Sequence, residues 1–197
     1  MSLPALKKEG HAMALTPDEA EELGRKLMSN LCMDLKRVDV PAALDLIARG
    51  ASLGFDDDRA LSPLLRATHH NLLGVVDAIL ARGVDVNEKD RHGWTALMIA
   101  ANYGHAQMAE FLAGKGADIH AVSLQGKTSF ALAQENGFRE VGDVLIRAER
   151  KRQQDIADAE RLAAQFQEAV ANAHIAQEPI KVGHALHLIK RQKPEIS

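Results

Sequence analysis

Apolar residues in this chain come in short helical runs, and the runs recur at a fixed interval. Leu46-Ile47, Ile79-Leu80 and Leu112-Ala113 are each followed closely by a glycine, at Gly50, Gly83 and Gly116, 33 residues apart. A left-handed helix cap needs a residue without a Cβ, so these glycines predict helix ends in register. Ala67, Ala100 and Ala133 keep the same spacing, with Leu64, Leu97 and Phe130 three positions earlier in each copy. A small residue inside each helix lets its neighbours approach, and the larger residues fill the space beside it. Ser62, Thr95 and Thr128 stand where a helix N-cap hydroxyl belongs, and Gly93 and Gly126 recur in the turns before those helices. The pattern predicts short paired helices stacked side by side.

The two ends depart from this period in different ways. Residues 1–15 read as a flexible lead. Thr16-Pro17-Asp18-Glu19 then joins an N-cap hydroxyl, a proline at the first helical position and a glutamate three residues on, a strong helix start. Ala20, Leu23, Leu27, Leu31 and Leu35 place one apolar stripe on that helix, suited to capping the stack. Cys32 falls on the same apolar stretch. At the far end the position 33 after Gly116 is Glu149, and no glycine or proline lies between Gly142 and Pro179. The last helix is therefore expected to run on to about residue 173, on the order of 50 Å at 1.5 Å per residue.

Within that extension, residues 149–178, the first turns (Glu149 to Asp155) are polar all round. Ile156, Ala159, Ala163, Phe166, Val170 and Ala173 then alternate spacings of three and four, the seam of a short coiled coil or of a helix docked on a partner. Packing of this stripe on the protein's own body is the alternative. From Pro179 to Pro194 the tail holds Lys181, Lys190, Arg191 and Lys193, two histidines and no acid. It suits a docking peptide for an acidic partner, a segment folding back on Asp56-Asp57-Asp58, or a disordered terminus.

A fixed period of 33 residues is the mark of a stacked repeat architecture. The copy at 90–122, with Asp90, Gly93, Thr95, Leu97, Ala100-Ala101, Gly104-His105, Leu112 and Gly116-Ala117-Asp118, resembles the ankyrin-repeat family. The resemblance covers roughly residues 24–148. It implies an all-α solenoid of helix-turn-helix repeats with β-hairpin-like tips: a cap and irregular repeat at 16–56, repeats at 57–89 and 90–122, and a terminal repeat at 123–148. The histidine the family carries after Thr-Pro-Leu is Leu65, Met98 and Ala131 here, so those turns are expected to rely on packing.

The resemblance also implies where a partner would bind. Family recognition uses the hairpin tips and the groove-facing end of each first helix. Carried over, these are Asp58, Arg59, Leu61, His69 and His70, then Arg91, His92, Trp94, Asn102 and Tyr103, then Leu124, Gln125, Lys127, Glu135 and Asn136. The only tryptophan and the only tyrosine of the chain fall in this set. With Arg91 they belong to the side-chain types most enriched among binding hot spots.

Composition narrows the function classes. A net charge of −3 lacks the basic excess of general nucleic-acid binding. A single cysteine cannot form an internal disulfide, which fits a reducing compartment, and no run approaches the roughly 18 apolar residues needed to span a bilayer. A cytoplasmic protein without membrane insertion is expected. No glycine-rich phosphate loop, Gly-x-Ser-x-Gly elbow or paired carboxylate site is present. His69-His70, His92 and His105 could be brought together by stacking, but no carboxylate or cysteine recurs with them at metal-ligand spacing; His184 and His187, three apart, could share a helix face as a weak metal pair. No catalytic, cofactor or metal residue is assigned. The expectation is a non-enzymatic adaptor or scaffold that binds a partner protein through a concave surface. A structural protein that oligomerises through Ile156, Ala159, Ala163, Phe166 and Val170 is the alternative, and a histidine-based metal enzyme is a more distant one.

Overall fold

The computed structural model describes residues 15–54 and 61–172. The chain divides into two compact units between Leu145 and Ile146. In the first unit the helices come in pairs. α1 (Pro17–Leu31) is followed by α2 (Val40–Ala48), α3 (Pro63–His69) by α4 (Leu73–Ala81), and α5 (Ala96–Asn102) by α6 (Ala106–Gly114); α7 (Ser129–Glu135) then precedes α8 (Arg139–Asn172). The first helices of the pairs pack in series, α1 on α3, α3 on α5 and α5 on α7, while α2 packs on α4. This gives an inner and an outer row of an all-α repeat solenoid, with no strand among the described residues.

The same sequence signals start and stop each copy. Ser62, Thr95 and Thr128 accept hydrogen bonds from the amides of Leu65, Met98 and Ala131 at 3.3, 3.3 and 3.2 Å, satisfying a donor that the helix leaves open. Leu65 and Met98 are themselves buried, so packing holds the first turn where the resemblance would place a histidine. Gly50, Gly83 and Gly116 all have positive φ and end the outer helices. A third series escaped the sequence reading. Asn71, Gly104 and Gly137, again 33 apart, have φ of 56°, 73° and 76°. Each lies in the turn between inner and outer helix, closed by an amide at Leu72, His105 or Phe138 donating to the carbonyl of Ala67, Ala100 or Ala133 at 2.8–2.9 Å. Asparagine is the non-glycine residue that best tolerates this backbone conformation, which is why the series survives a change of residue.

Leu64, Leu97, Ala67, Ala100 and Ala133 are buried together with Val75, Val76, Ile79, Met108 and Leu112. The core is therefore a thin layer of aliphatic side chains between the rows, with alanines where helices meet. At the amino-terminal end the structure corrects the sequence reading. The capping box at Thr16 and Glu19 is present, and Leu23, Leu27 and Leu31 are buried, but α1 stops at Leu31. Cys32 is its C-cap and is exposed, and Leu35 lies in a separate 3-10 turn, Leu35–Arg37. A regular apolar spacing shows which residues share a face, not where the helix ends.

At the carboxyl-terminal end α8 passes through Glu149 without a break and continues to Asn172. The described part of the second unit is this helix from Ile146 onward. Gln153 donates to Glu149 at 2.9 Å one turn apart, and side chains from Lys151 to Asp158 are exposed. No helix among the described residues is long and apolar enough to cross a membrane.

Candidate functional site

The tips that precede α5 and α7 are built by one rule with two different residues. Asp90 closes its turn by donating its amide to the Trp94 carbonyl at 3.0 Å, and its Oδ1 accepts from the amides of His92 and Trp94 at 2.8 and 2.7 Å. Thirty-three residues on, Ser123 donates to the Lys127 carbonyl at 3.0 Å, and its hydroxyl accepts from the amides of Gln125 and Lys127 at 3.3 and 3.2 Å. The two tips are joined by the Leu124 amide, which donates to the His92 carbonyl at 3.0 Å. Gly93 permits this approach, since a Cβ there would stand 3.0 Å from the Leu124 nitrogen. The result is a fixed ledge that presents Arg91, His92, Leu124 and Gln125 to solvent. Leu124 is 80% exposed, a large apolar residue held out by backbone bonds.

Trp94 is half-buried, as is Leu61, while Tyr103 at the end of α5 is 48% exposed. Lys127 of the tip forms an ion pair with Glu135 at the end of α7, so tip and helix end lie on one side of that repeat. The next step along the inner row is a hydrogen bond from Asn136 Nδ2 to Asn102 Oδ1 at 3.1 Å. Arg91 Nε donates to His92 Nε2 at 3.1 Å within its tip. Asp58 and Arg59 lie outside the described residues, as do Asp56, Asp57 and the tail from Pro179 with His184 and His187.

The ends of α3 and α5 bring four rings together. His69 meets His70 with centroids 5.0 Å apart and Tyr103 at 4.6 Å, both edge to face, and Tyr103 stacks on His105 at 6.0 Å. His70 Nε2 lies 3.0 Å from the Leu31 carbonyl and His105 Nε2 3.2 Å from the His69 carbonyl, so both rings also tie one helix pair to the preceding one. Burial pushes His69 below the ordinary imidazole range, helped by the positive charge of His70, Arg66 and His105. His70 is lowered chiefly by burial, against the opposing effect of its bond to Leu31. His92 remains on its tip, and among the described residues no group of three His, Cys, Asp or Glu side chains is arranged to hold a metal ion.

Periodicity placed the stripe on α8 but not Leu162 within it, and gave no sign of a depression on the outer row. The apolar stripe on α8 includes Leu162, 60% exposed, beside Ile156 at 43% and Phe166 at 60%; Ala159, Ala163 and Val170 are half-exposed. A depression of about 490 Å³ between α2 and α4, lined by Leu44, Ile47, Ala78, Ala81, Arg49 and Arg82, lies on the outer row. Its arginines are already engaged, Arg82 donating to the Ile47 carbonyl at 2.7 Å and Arg49 pairing with Asp45 at 3.4 Å. A family model described as ankyrin repeats (3 copies) matches the chain over residues 36–123 and 64–160. A search of curated proteins found no match.

Proposed function

The chain belongs to the ankyrin-repeat family, and on that premise we propose that it is a cytoplasmic, non-enzymatic adaptor that binds one partner protein through its tips and inner-helix ends. Ankyrin repeats generally mediate protein–protein interaction, and the family is typically non-enzymatic. This proposal is supported by the ledge from Arg91 to Gln125, preformed by the Leu124–His92 backbone bond and the Asp90 and Ser123 side chains. A surface ordered before binding loses little conformational entropy on association. Trp94 and Tyr103 supply area that a partner can desolvate, Leu124 an apolar contact, and Arg91 and Gln125 set orientation.

The test is affinity capture from the source organism's lysate, with the native chain against a Trp94→Ala, Tyr103→Ala chain of similar melting temperature. Loss of one dominant protein supports the reading, and equal recovery by both chains removes it. A second reading is favoured by the exposed Ile156, Leu162 and Phe166 of α8: this helix makes a further contact or joins two copies. It predicts a dimer that dissociates on Phe166→Asp. A wild-type chain that stays monomeric at high concentration would rule out the self-association form.

A further inference from the structure

Beyond Gln154 the surface of α8 is acidic and apolar at once. Asp155, Asp158, Glu160 and Glu168 stand against one base, Arg161, and all of them are exposed. Between them lie the exposed side chains of Ile156, Leu162 and Phe166, the last two one turn apart on the same side of the helix. Large apolar groups grouped on a surface and rimmed by charge mark a place where another segment docks.

α8 carries this face to Asn172, and residues 173–197, which continue from that end, lie outside the described residues. Their sequence complements the face. From Pro179 to Pro194 they hold Lys181, Lys190, Arg191 and Lys193 and no acid, and Val182, Leu186 and Ile189 follow spacings of four and three, one side of a helix. We infer that the occupant of the α8 face is this segment of the same chain, folded back as a helix antiparallel to α8.

The lengths agree. With residues 173–181 making the turn, a helix from Val182 to Lys193 rises about 16 Å at 1.5 Å per residue, the same as α8 from Val170 back to Ala159. Val182, Leu186 and Ile189 then meet Val170, Phe166 and Ala163 with Leu162 beside it. Lys190, Arg191 and Lys193 arrive next to Asp155, Asp158 and Glu160. A second copy would instead bring four more acids against these four, and like charges repel. The tail is also tethered to the end of the face, so it reaches the stripe at a high effective concentration, whereas a copy must be drawn from solution. It acts as a strap: a partner that uses the α8 stripe must first displace it, and added salt, which screens exposed charge pairs, favours release.

The test is hydrogen exchange of the full chain, read at residues 155–172. Leu186→Asp, Ile189→Asp is expected to speed exchange there at least about tenfold, since a helix without packed neighbours opens more readily than a paired one. Lys190→Glu, Arg191→Glu, Lys193→Glu is expected to speed it in the same way, and adding Asp155→Lys, Asp158→Lys, Glu160→Lys to that chain to restore the slow rate. Exchange unchanged by the first variant, or no restoration by the charge exchange, would overturn the inference. Restoration obtained instead by Asp56→Lys, Asp57→Lys, Asp58→Lys would also overturn it and move the tail to that acidic run. A wild-type dimer that Phe166→Asp dissociates would overturn it too, and assign the face to a second copy.

Discussion

Gly104 and Phe138 meet so closely that a Cβ on Gly104 would stand 2.6 Å from Cδ1 of the ring. The residue combines two demands, a φ of 73° in the turn between α5 and α6 and a backbone exposed to the aromatic residue of the next repeat. One glycine therefore serves both a turn and an inter-repeat contact.

Gly104→Ala is expected to destabilise the first unit by about 2–4 kcal/mol, summing a left-handed backbone penalty and an overpacked contact. Gly114→Ala is the control, since nothing lies within 4 Å of its Cβ position and its φ is ordinary. It should be neutral or stabilise by up to about 1 kcal/mol. Denaturant unfolding of the two variants measures the contrast. Similar losses in both would show that the Phe138 contact does not matter.

Thr95 is buried and caps α5 through the Met98 amide. Thr95→Ala should cost about 1 kcal/mol, and Thr95→Ser should recover most of it, because the hydroxyl is what the helix end requires. Thermal melts of both variants check this.

Lys127 and Glu135 form an ion pair with both side chains more than a third exposed. Such pairs contribute little, so Lys127→Ala should change stability by less than about 0.5 kcal/mol. If partner capture falls while the melting temperature holds, Lys127 acts in recognition.

Stability should also follow the histidines. The folded-state values for His69 and His70 lie below the ordinary one, so the unfolded chain binds more protons once pH drops below about 6.5. Their contribution is present above that value and is lost as pH falls through the folded-state values. The melting temperature should therefore decline from pH 7 to pH 5, and less so in a His69→Gln, His70→Gln chain. An equal decline in both chains would assign the acid sensitivity elsewhere.

How far the sequence reading reached depended on the kind of constraint. Requirements that recur in one chemical form were legible: the hydroxyl caps at Ser62, Thr95 and Thr128, the glycines at 50, 83 and 116, and the alanines of the inner helices. Asn71 was not, because another residue type fills the same backbone conformation. The end of α1 at Leu31 was missed because Leu35 keeps the stripe spacing across a helix stop without glycine or proline. The contacts among Lys127, Glu135, Asn102 and Asn136, and the convergence of His69, Tyr103 and His105, depend on how consecutive repeats stack. Periodicity states that repeats stack, but not which side chains then touch.

Hydrogen exchange of the full chain, free and bound to the partner recovered by capture, locates the binding surface directly. Protection on binding is predicted at residues 91–94, 102–105 and 123–127, where the tips and inner-helix ends form one ledge. Protection confined to residues 146–172, with the tips unchanged, would rule out the tips as the binding surface and move it to α8.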